Sequence, residues 1–392
     1  MKITHSFKVH SLVLAAALVA GSGIPTQAAA RQASYLIDLS SRTVIQLGNL
    51  GGDFTAANAI NDAGQVVGNA STSTGHGRAF ITGSDGVGMR DVGTLGGNYV
   101  YVEALGINNA GQVVGYSSTS DTPHAFITGP NGTEMKDLGR LGGDSSYATG
   151  INDAGQVVGF FYPTIGTQRA FITGPNGADP ADLNSMFDLP NGVVLYNAVA
   201  INNSGQVAGE STMSGAPLHA FITGPSGEGI TDLGTLGGNF FSTVSGINDA
   251  GQVVGQSTTA AGSWHAFITG PDGLGMRDLS ALAMDYSVAR GVNDAGQVVG
   301  MAYMGGDSPH AFITGPDGKG MMDLNSVVNL PRGVILTEAR DINNVGQVIA
   351  LGVPEPESYA MFLAGMGLIG FMASRKRLIG LNTPWKLSLY PG

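Results

Sequence analysis

Ile60-Asn61-Asp62-Ala63-Gly64-Gln65-Val66-Val67-Gly68 is the stretch that decides the fold. It breaks an apolar run at Asn-Asp-Ala-Gly and resumes as Val-Val. Asx side chains bond their own backbone in turns, and Gly supplies positive φ. The phrase therefore predicts a tight hairpin between two short strands. It returns, varied, at Ile107, Ile151, Ile201, Ile247, Val292 and Ile342, at spacings of 47, 44, 50, 46, 45 and 50 residues. Seven copies at such a period mark a repeat architecture.

Two further phrases travel with it. His-Ala-Phe-Ile-Thr-Gly starts at His124, His219, His265 and His310, with Arg78 and Arg169 in place of His. Asp-Leu-Gly or a variant starts at Asp91, Asp137, Asp182, Asp232, Asp278 and Asp323. Partners such as Ile60 and Ile201, or Asp182 and Asp323, stand 141 residues apart, as duplication of a three-unit block would leave them.

Each unit reads as four strands, a to d. In one copy, Tyr147 to Asn152 is strand a, and Asn152-Asp153-Ala154-Gly155 is the turn. Gln156 to Gly159 is strand b, Phe160 to Thr167 a variable loop, and Arg169 to Thr173 strand c. Pro175-Asn176-Gly177 turns the chain into strand d, which ends at Leu183. Four strands in such a unit are the size of a β-propeller blade. The ends carry half-units. Tyr35-Leu36-Ile37-Asp38 and Thr43 to Leu47 read as c and d alone, whereas Thr337 to Asn343 and Gln347 to Leu351 read as a and b alone. Pairing the halves closes the sheet array and removes its edges. The expected fold is all-β: a seven-bladed β-propeller over 31–352, about 46 residues per blade, with one blade shared by the two ends. An open solenoid is the alternative.

These phrases resemble the HAF repeats of exported bacterial proteins, a likeness that covers essentially all of 43–352 and implies a repeat scaffold, not an activity.

Composition agrees with many short strands and tight turns. Gly is 62 of 392 residues, about 16%, and charged residues are 12%. With 43% hydrophobic residues, the chain lacks the polar, highly charged character of disorder. The Gly have no three-residue period, which excludes collagen. Region 31–352 holds 12 basic and 27 acidic residues, a net charge of −15. Such a surface repels phosphate backbones and argues against nucleic acid as a partner. There is no Cys, hence no disulfide, thiol chemistry or Cys-ligated zinc.

The two ends read as addresses. Lys2 and Lys8, the apolar run Leu12 to Ala20 and the small residues Ala28-Ala29-Ala30 form a secretory signal peptide, 1–30, cut after Ala30 with Ala28 completing the A-x-A site. At the other end stand Val353-Pro354-Glu355-Pro356, an uncharged run from Tyr359 to Ser374, and Arg375-Lys376-Arg377. Sixteen residues as a helix span about 24 Å, close to a hydrocarbon core, and the basic cluster stops transfer. This order resembles the PEP-CTERM sorting signal of Gram-negative bacteria. The resemblance implies an exosortase-type processing protease as partner, removal of a tail at 353–377, and delivery to the cell surface or beyond, where such proteins accompany exopolysaccharide and biofilm. Until processing, the C-terminal segment would be a transmembrane helix anchoring the chain. Residues 378–392 are an extension that the signal ordinarily lacks.

No catalytic constellation and no cofactor motif are legible. Nucleophile-elbow, H-E-x-x-H and P-loop patterns are missing, and non-repeated acids such as Glu103, Asp144, Asp188, Asp285 and Glu338 define no pair for glycoside chemistry. The Asn-Asp turns lack the alternating oxygens of an EF-hand calcium loop and read as hairpin turns, with weak calcium binding between turns as the alternative. The His sit in separate units and exchange with Arg, which is no metal ligand. A cationic donor role fits better: each His or Arg is expected to bond the Asp thirteen residues on, across strands c and d. The N-terminal half-unit has Ala33 and Gln46 there, lacking both members. Phe80, Phe126, Phe171, Phe221, Phe267 and Phe312 are expected in the inter-blade core. The b–c loops vary and carry aromatics: Tyr116, Phe160, Phe161, Tyr162, Trp264, Tyr303 and Met304. Of these, Tyr116, Phe161, Tyr162, Trp264 and Tyr303 are the candidate ligand-binding residues, since variable loops on a rigid scaffold carry binding and aromatic faces suit sugar rings. The expected function is non-enzymatic binding or a structural role at the cell surface, with polysaccharide as partner. The alternative is a polysaccharide hydrolase or lyase on the same scaffold.

Overall fold

The computed structural model describes residues 32–354 apart from 97–100, 121, 191, 213–217, 226–228, 281–285 and 306–307. Seven four-stranded antiparallel sheets form a ring of blades. Blade 1 consists of strands Gly51–Ile60, Val66–Thr72, Gly77–Ile81 and Arg90–Asp91. Blades 2 to 6 open with strand a at Val102–Ile107, Gly143–Ile151, Val194–Ile201, Gly237–Ile247 and Ser287–Val292. Blade 7 takes strands a and b, Val334–Ile342 and Gln347–Pro354, from the C-terminal side and c and d, Ala33–Asp38 and Thr43–Gln46, from the N-terminal side. Ala33 pairs with Gly352 and Asp38 with Gln347, so the shared blade closes as the half-units predict. Strand a of each blade contacts strand a of the next, and that of blade 7 contacts that of blade 1.

The repeated letters have local causes. Gly64 takes φ +76°, the left-handed residue that closes a three-residue hairpin loop after a type I turn. Gly68 has another reason: a Cβ there would lie 2.0 Å from the Ala56 carbonyl oxygen on the bulged strand beside it. Thr82, of the Phe-Ile-Thr phrase, accepts the Val66 N–H and donates to the Gly83 carbonyl, both at 2.9 Å. The same threonine role recurs at Thr128, Thr173 and Thr314.

The core is divided among the seven seams between blades. Phe126 of blade 2 packs with Val67, Ala79 and Ile81 of blade 1, and Phe80 packs with Leu36, Leu47 and Ile349 of blade 7. All six repeated Phe are fully buried, and Tyr35 takes the seventh place. A buried Phe contributes about 1.5–3 kcal/mol, so each seam is held chiefly by one such ring and its aliphatic neighbours.

Two Asn/Asp circles line the inner ring at the a–b turns. The buried Asn61 donates its side-chain amide to the Asn108 carbonyl of the next blade at 3.0 Å. Asn108, Asn152, Asn202, Asn248 and Asn293 each do likewise to the next. Asn343 returns to Asn61 at 2.9 Å. One residue on, the backbone N–H of Asp62 donates to Asn109 Oδ1, and the relay continues through Asp153, Asn203, Asp249, Asp294 and Asn344 back to Asp62.

Candidate ligand-binding face

Strand a runs toward the a–b turn and strand b away from it. The start of strand a and the end of strand b therefore share the face opposite the Asn/Asp circles. The variable aromatics gather on this face, but on strands more than on loops. Tyr116 lies within strand b of blade 2, Val113–Ser118, and Trp264 opens strand c of blade 5, Trp264–Ile268. In blade 3, strand b runs from Val157 to Pro163 and contains Phe160, Phe161 and Tyr162. The expected loop from Phe160 is thus four residues shorter, because the pairing with strand a continues to Gly143–Pro163. Side chains alternate along a strand, so Phe161 points away from its neighbours and is buried, 4% exposed, against Val114, Ile127 and Phe171. As a candidate binding residue Phe161 is corrected to a core residue.

The structure brings Tyr116 and Tyr162 into one aromatic row across blades 2 and 3. Tyr101 lies 5.8 Å from Tyr116, centroid to centroid, and Tyr116 lies edge-on to Tyr147 at 4.7 Å. Tyr147 stacks on Phe160 at 4.8 Å and meets Tyr162 at 6.1 Å. These separations are those of favourable offset and edge contacts. The ends of the row face water, with Tyr101 52% and Tyr162 43% exposed. Tyr101 donates its hydroxyl to Glu103, which stands beside Tyr116 across the strand pair. Burial and the Glu103 contact push the Tyr101 hydroxyl above its usual range. Burial first, then the Tyr101 and Glu103 contacts, push Tyr116 further up still. A phenol so placed is a hydrogen-bonding group at neutral pH, not a base.

Trp264 and Tyr303 belong to a second row, on blades 5 and 6. Phe241 stacks on Trp264 at 6.0 Å and 13°, and Tyr286 meets Tyr303 edge-on at 6.0 Å. Trp264 bridges to Tyr286 through the backbone. The five candidates thus separate into two rows and one core residue. Sequence reasoning missed Tyr101 and Tyr286, each just before strand a, and Tyr147 and Phe241 within it. The available signal was position: Tyr101, Phe241 and Tyr286, like Phe54, each stand six residues before the first residue of their unit's Ile-Asn or Val-Asn phrase.

The conserved phrases fill structural roles. His124, His219, His265 and His310 bond Asp137, Asp232, Asp278 and Asp323 at 2.9, 3.0, 2.7 and 2.8 Å, as expected across strands c and d. Arg78 and Arg169 pair with Asp91 and Asp182 at 3.2 and 2.6 Å. The Asp also accepts the N–H two residues on, as at Gly93, Gly139, Gly234 and Ser280, so it caps the end of strand d. On the opposite face the a–b turns surround a cavity of about 170 Å3, lined by the Asn/Asp circles. Within the ring, Asp341 accepts N–H bonds from Ile60 and Ile342, and burial pushes its carboxyl up to about 7. Among the described residues no group of three or more His, Cys, Asp or Glu is placed to hold a metal ion.

Residues 352–377 match the PEP-CTERM protein-sorting motif. The match marks the chain as exported by a membrane-associated sorting route and implies processing by exosortase-type machinery. Gly352, Val353 and Pro354 lie in the closing strand, opposite Leu336, Ile335 and Val334, so the motif starts inside blade 7. Among the described residues no helix is long and apolar enough to cross a membrane. The run Tyr359–Ser374, Glu355, Pro356, Arg375, Lys376, Arg377 and the leader with Ala28 and Ala30 lie outside the described residues. No curated protein matches the chain. Among solved structures, a Mycobacterium tuberculosis puromycin-hydrolyzing peptidase is similar at TM-score 0.51 and 10% identity, over 74% of this chain and 50% of that one. A prolyl endopeptidase is similar at 0.51 and 9%, over 73% and 44%. A putative TolB from Agrobacterium tumefaciens reaches 0.48 at 10%, over 83% and 99%. At such identity the likeness concerns the fold alone.

Proposed function

We propose that this exported propeller is a non-enzymatic binding protein of the cell surface or matrix, and that its ligand is a neutral polysaccharide. The observation that carries the reading is the Tyr101–Tyr116–Tyr147–Phe160–Tyr162 row, with an exposed phenol at each end. Ring faces offer apolar area to sugar C–H groups, while hydroxyls and Glu103 offer hydrogen bonds. A body of net charge −15 disfavours an acidic polymer. The sorting motif of an exported protein supports a reading at the cell surface or in the matrix, and the resemblance of the tail and the repeats to PEP-CTERM signals and HAF repeats is the ground for adding exopolysaccharide and biofilm to it. The raised tyrosine hydroxyls and the single carboxylate in the row support binding over turnover, since a lyase needs a base and a glycosidase a carboxyl pair.

The test is calorimetric titration of the processed protein with a panel of neutral and acidic polysaccharides, with reducing ends assayed in parallel. Binding of a neutral polymer is expected, weakened roughly ten-fold or more, about 1.4 kcal/mol, when Tyr101 and Tyr162 are both changed to Ala. Absence of binding across the neutral panel rejects the reading. Release of new ends establishes the hydrolase or lyase alternative.

A further inference from the structure

Blade 7 differs from the others at one end. Where blades 1 to 6 join strand b to strand c by a loop, blade 7 has two chain ends side by side, Pro354 leaving strand b and Ala33 entering strand c. Both open on the face that carries the aromatic rows, not on the face of the Asn/Asp circles. The sorting motif begins within that last strand. Only Glu355, Pro356, Glu357 and Ser358 separate Pro354 from Tyr359, where the uncharged run of the motif starts. Four residues reach about 14 Å even when fully extended.

We propose that, while the tail is attached, the aromatic-bearing face of the propeller rests on the lipid bilayer, and that tail removal is what frees it. The short tether fixes which face is turned to the membrane. The side chains on that face suit the role. Phe54 of blade 1 is 47% exposed and Phe241 of blade 5 is 39% exposed. Tyr286 and Tyr303 of blade 6 stand beside the exit blade on its other side. Aromatic rings favour the headgroup region, where an apolar body and a polar edge are both satisfied. The opposite face, rimmed by Asp62, Asp153, Asp249 and Asp294, exposes the aliphatic Val87, Leu274 and Val345 but no aromatic ring at its a–b turns, and points to the aqueous side. The proposal rests on the polysaccharide reading only in its consequence: the same face would be closed to a polymer until the tail is cut.

The chain has no Cys, so single cysteines report cleanly. The full chain is produced without an exosortase-type protease, leaving the tail on. Phe54→Cys on the aromatic face and Val345→Cys, 61% exposed at an a–b turn, are labelled in intact membranes with an impermeant maleimide. Phe54→Cys is expected to react several-fold more slowly than Val345→Cys. Inserting about 20 Gly/Ser residues after Ser358, a mean span of about 25 Å, should restore its rate, as should co-expression of the protease. Equal reactivity of the two sites in the tailed chain, or protection that survives the long linker and cleavage alike, overturns the proposal. Polysaccharide titration of the same preparations separates the two ideas. Protection without any neutral-polymer binding upholds the membrane contact and rejects the binding reading, whereas binding with no protection does the reverse.

Discussion

The side-chain amide of Asn343 donates to the backbone carbonyl of Asn61, 282 residues earlier, at 2.9 Å. With the Asn344–Asp62 and Ile60–Asp341 bonds it joins the last unit to the first, and it completes a buried circle of seven asparagines. Asn343 also donates to Gln347 Oε1 and accepts the Gln347 N–H.

Asn343→Ala should therefore leave buried polar groups unpaired on both blades. At about 1–3 kcal/mol for each unsatisfied group, a loss of roughly 2–4 kcal/mol is expected in urea unfolding. A variant as stable as the wild type would show that the circle contributes nothing to closure.

Asp341 gives a pH dependence of definite sign. Its carboxyl is raised from 3.8 to about 7, chiefly by burial, with Asp62 adding a smaller push. The folded state holds this proton more tightly than the unfolded chain does. Its contribution to stability is thus fully present below about pH 4 and declines as pH rises toward 7. Asp341→Asn should remove that slope and raise the melting temperature at pH 8. An unchanged stability–pH profile between pH 4 and 8 refutes the assignment. Glu210 is held high for the same reason, burial, and Glu210→Gln should act in the same direction.

Asp278 has the opposite sign. The His265 and Ser280 bonds together outweigh burial and hold its carboxyl below the usual value. Its stabilisation is present above the ordinary Asp range and is lost as pH falls through its folded value. The pair is partly exposed, so His265→Ala should cost no more than about 1 kcal/mol, without changing ligand affinity. Loss of binding at unchanged melting temperature would move His265 from the scaffold to the site.

Gly68→Ala should be far more harmful than an exposed Gly→Ala change. Its Cβ would meet the Ala56 carbonyl oxygen at 2.0 Å, and relief requires strand a to shift. A loss of about 1–3 kcal/mol is expected in thermal unfolding. The seventh copy already holds Ala350 at this place, so Ala350→Gly should bring no comparable gain.

The repeat made most of the scaffold legible. Blade number, the shared blade, the turns, the Phe core and the His–Asp bonds all recur, and recurrence separates signal from accident. Residues that occur once carry no such support. Phe160, Phe161 and Tyr162 read as loop because nothing repeated marks strand b beyond Gly159. Yet period two along those residues already implied that Phe161 opposes its neighbours. The aromatic rows were harder to read because each is assembled across a seam, from Tyr101 and Tyr116 of one blade and Tyr147 of the next. Likewise Asn61 is visibly repeated, but its partner in the following copy is set by blade packing alone.

The outer of the two Asn/Asp circles runs Asp62, Asn109, Asp153, Asn203, Asp249, Asp294, Asn344. Charged and neutral members alternate wherever they can: the Asn203 amide reaches the carboxylates of both Asp153 and Asp249, at 3.2 and 3.0 Å. A cycle of odd parity cannot alternate all the way round. Asp249 beside Asp294 is the mismatch that seven imposes, and it falls between blades 5 and 6. Blade number thus leaves a topological mark on the electrostatics: a ring of six or eight could alternate throughout, whereas a ring of seven must set two like members side by side, and here that pair is two carboxylates, not two neutral amides.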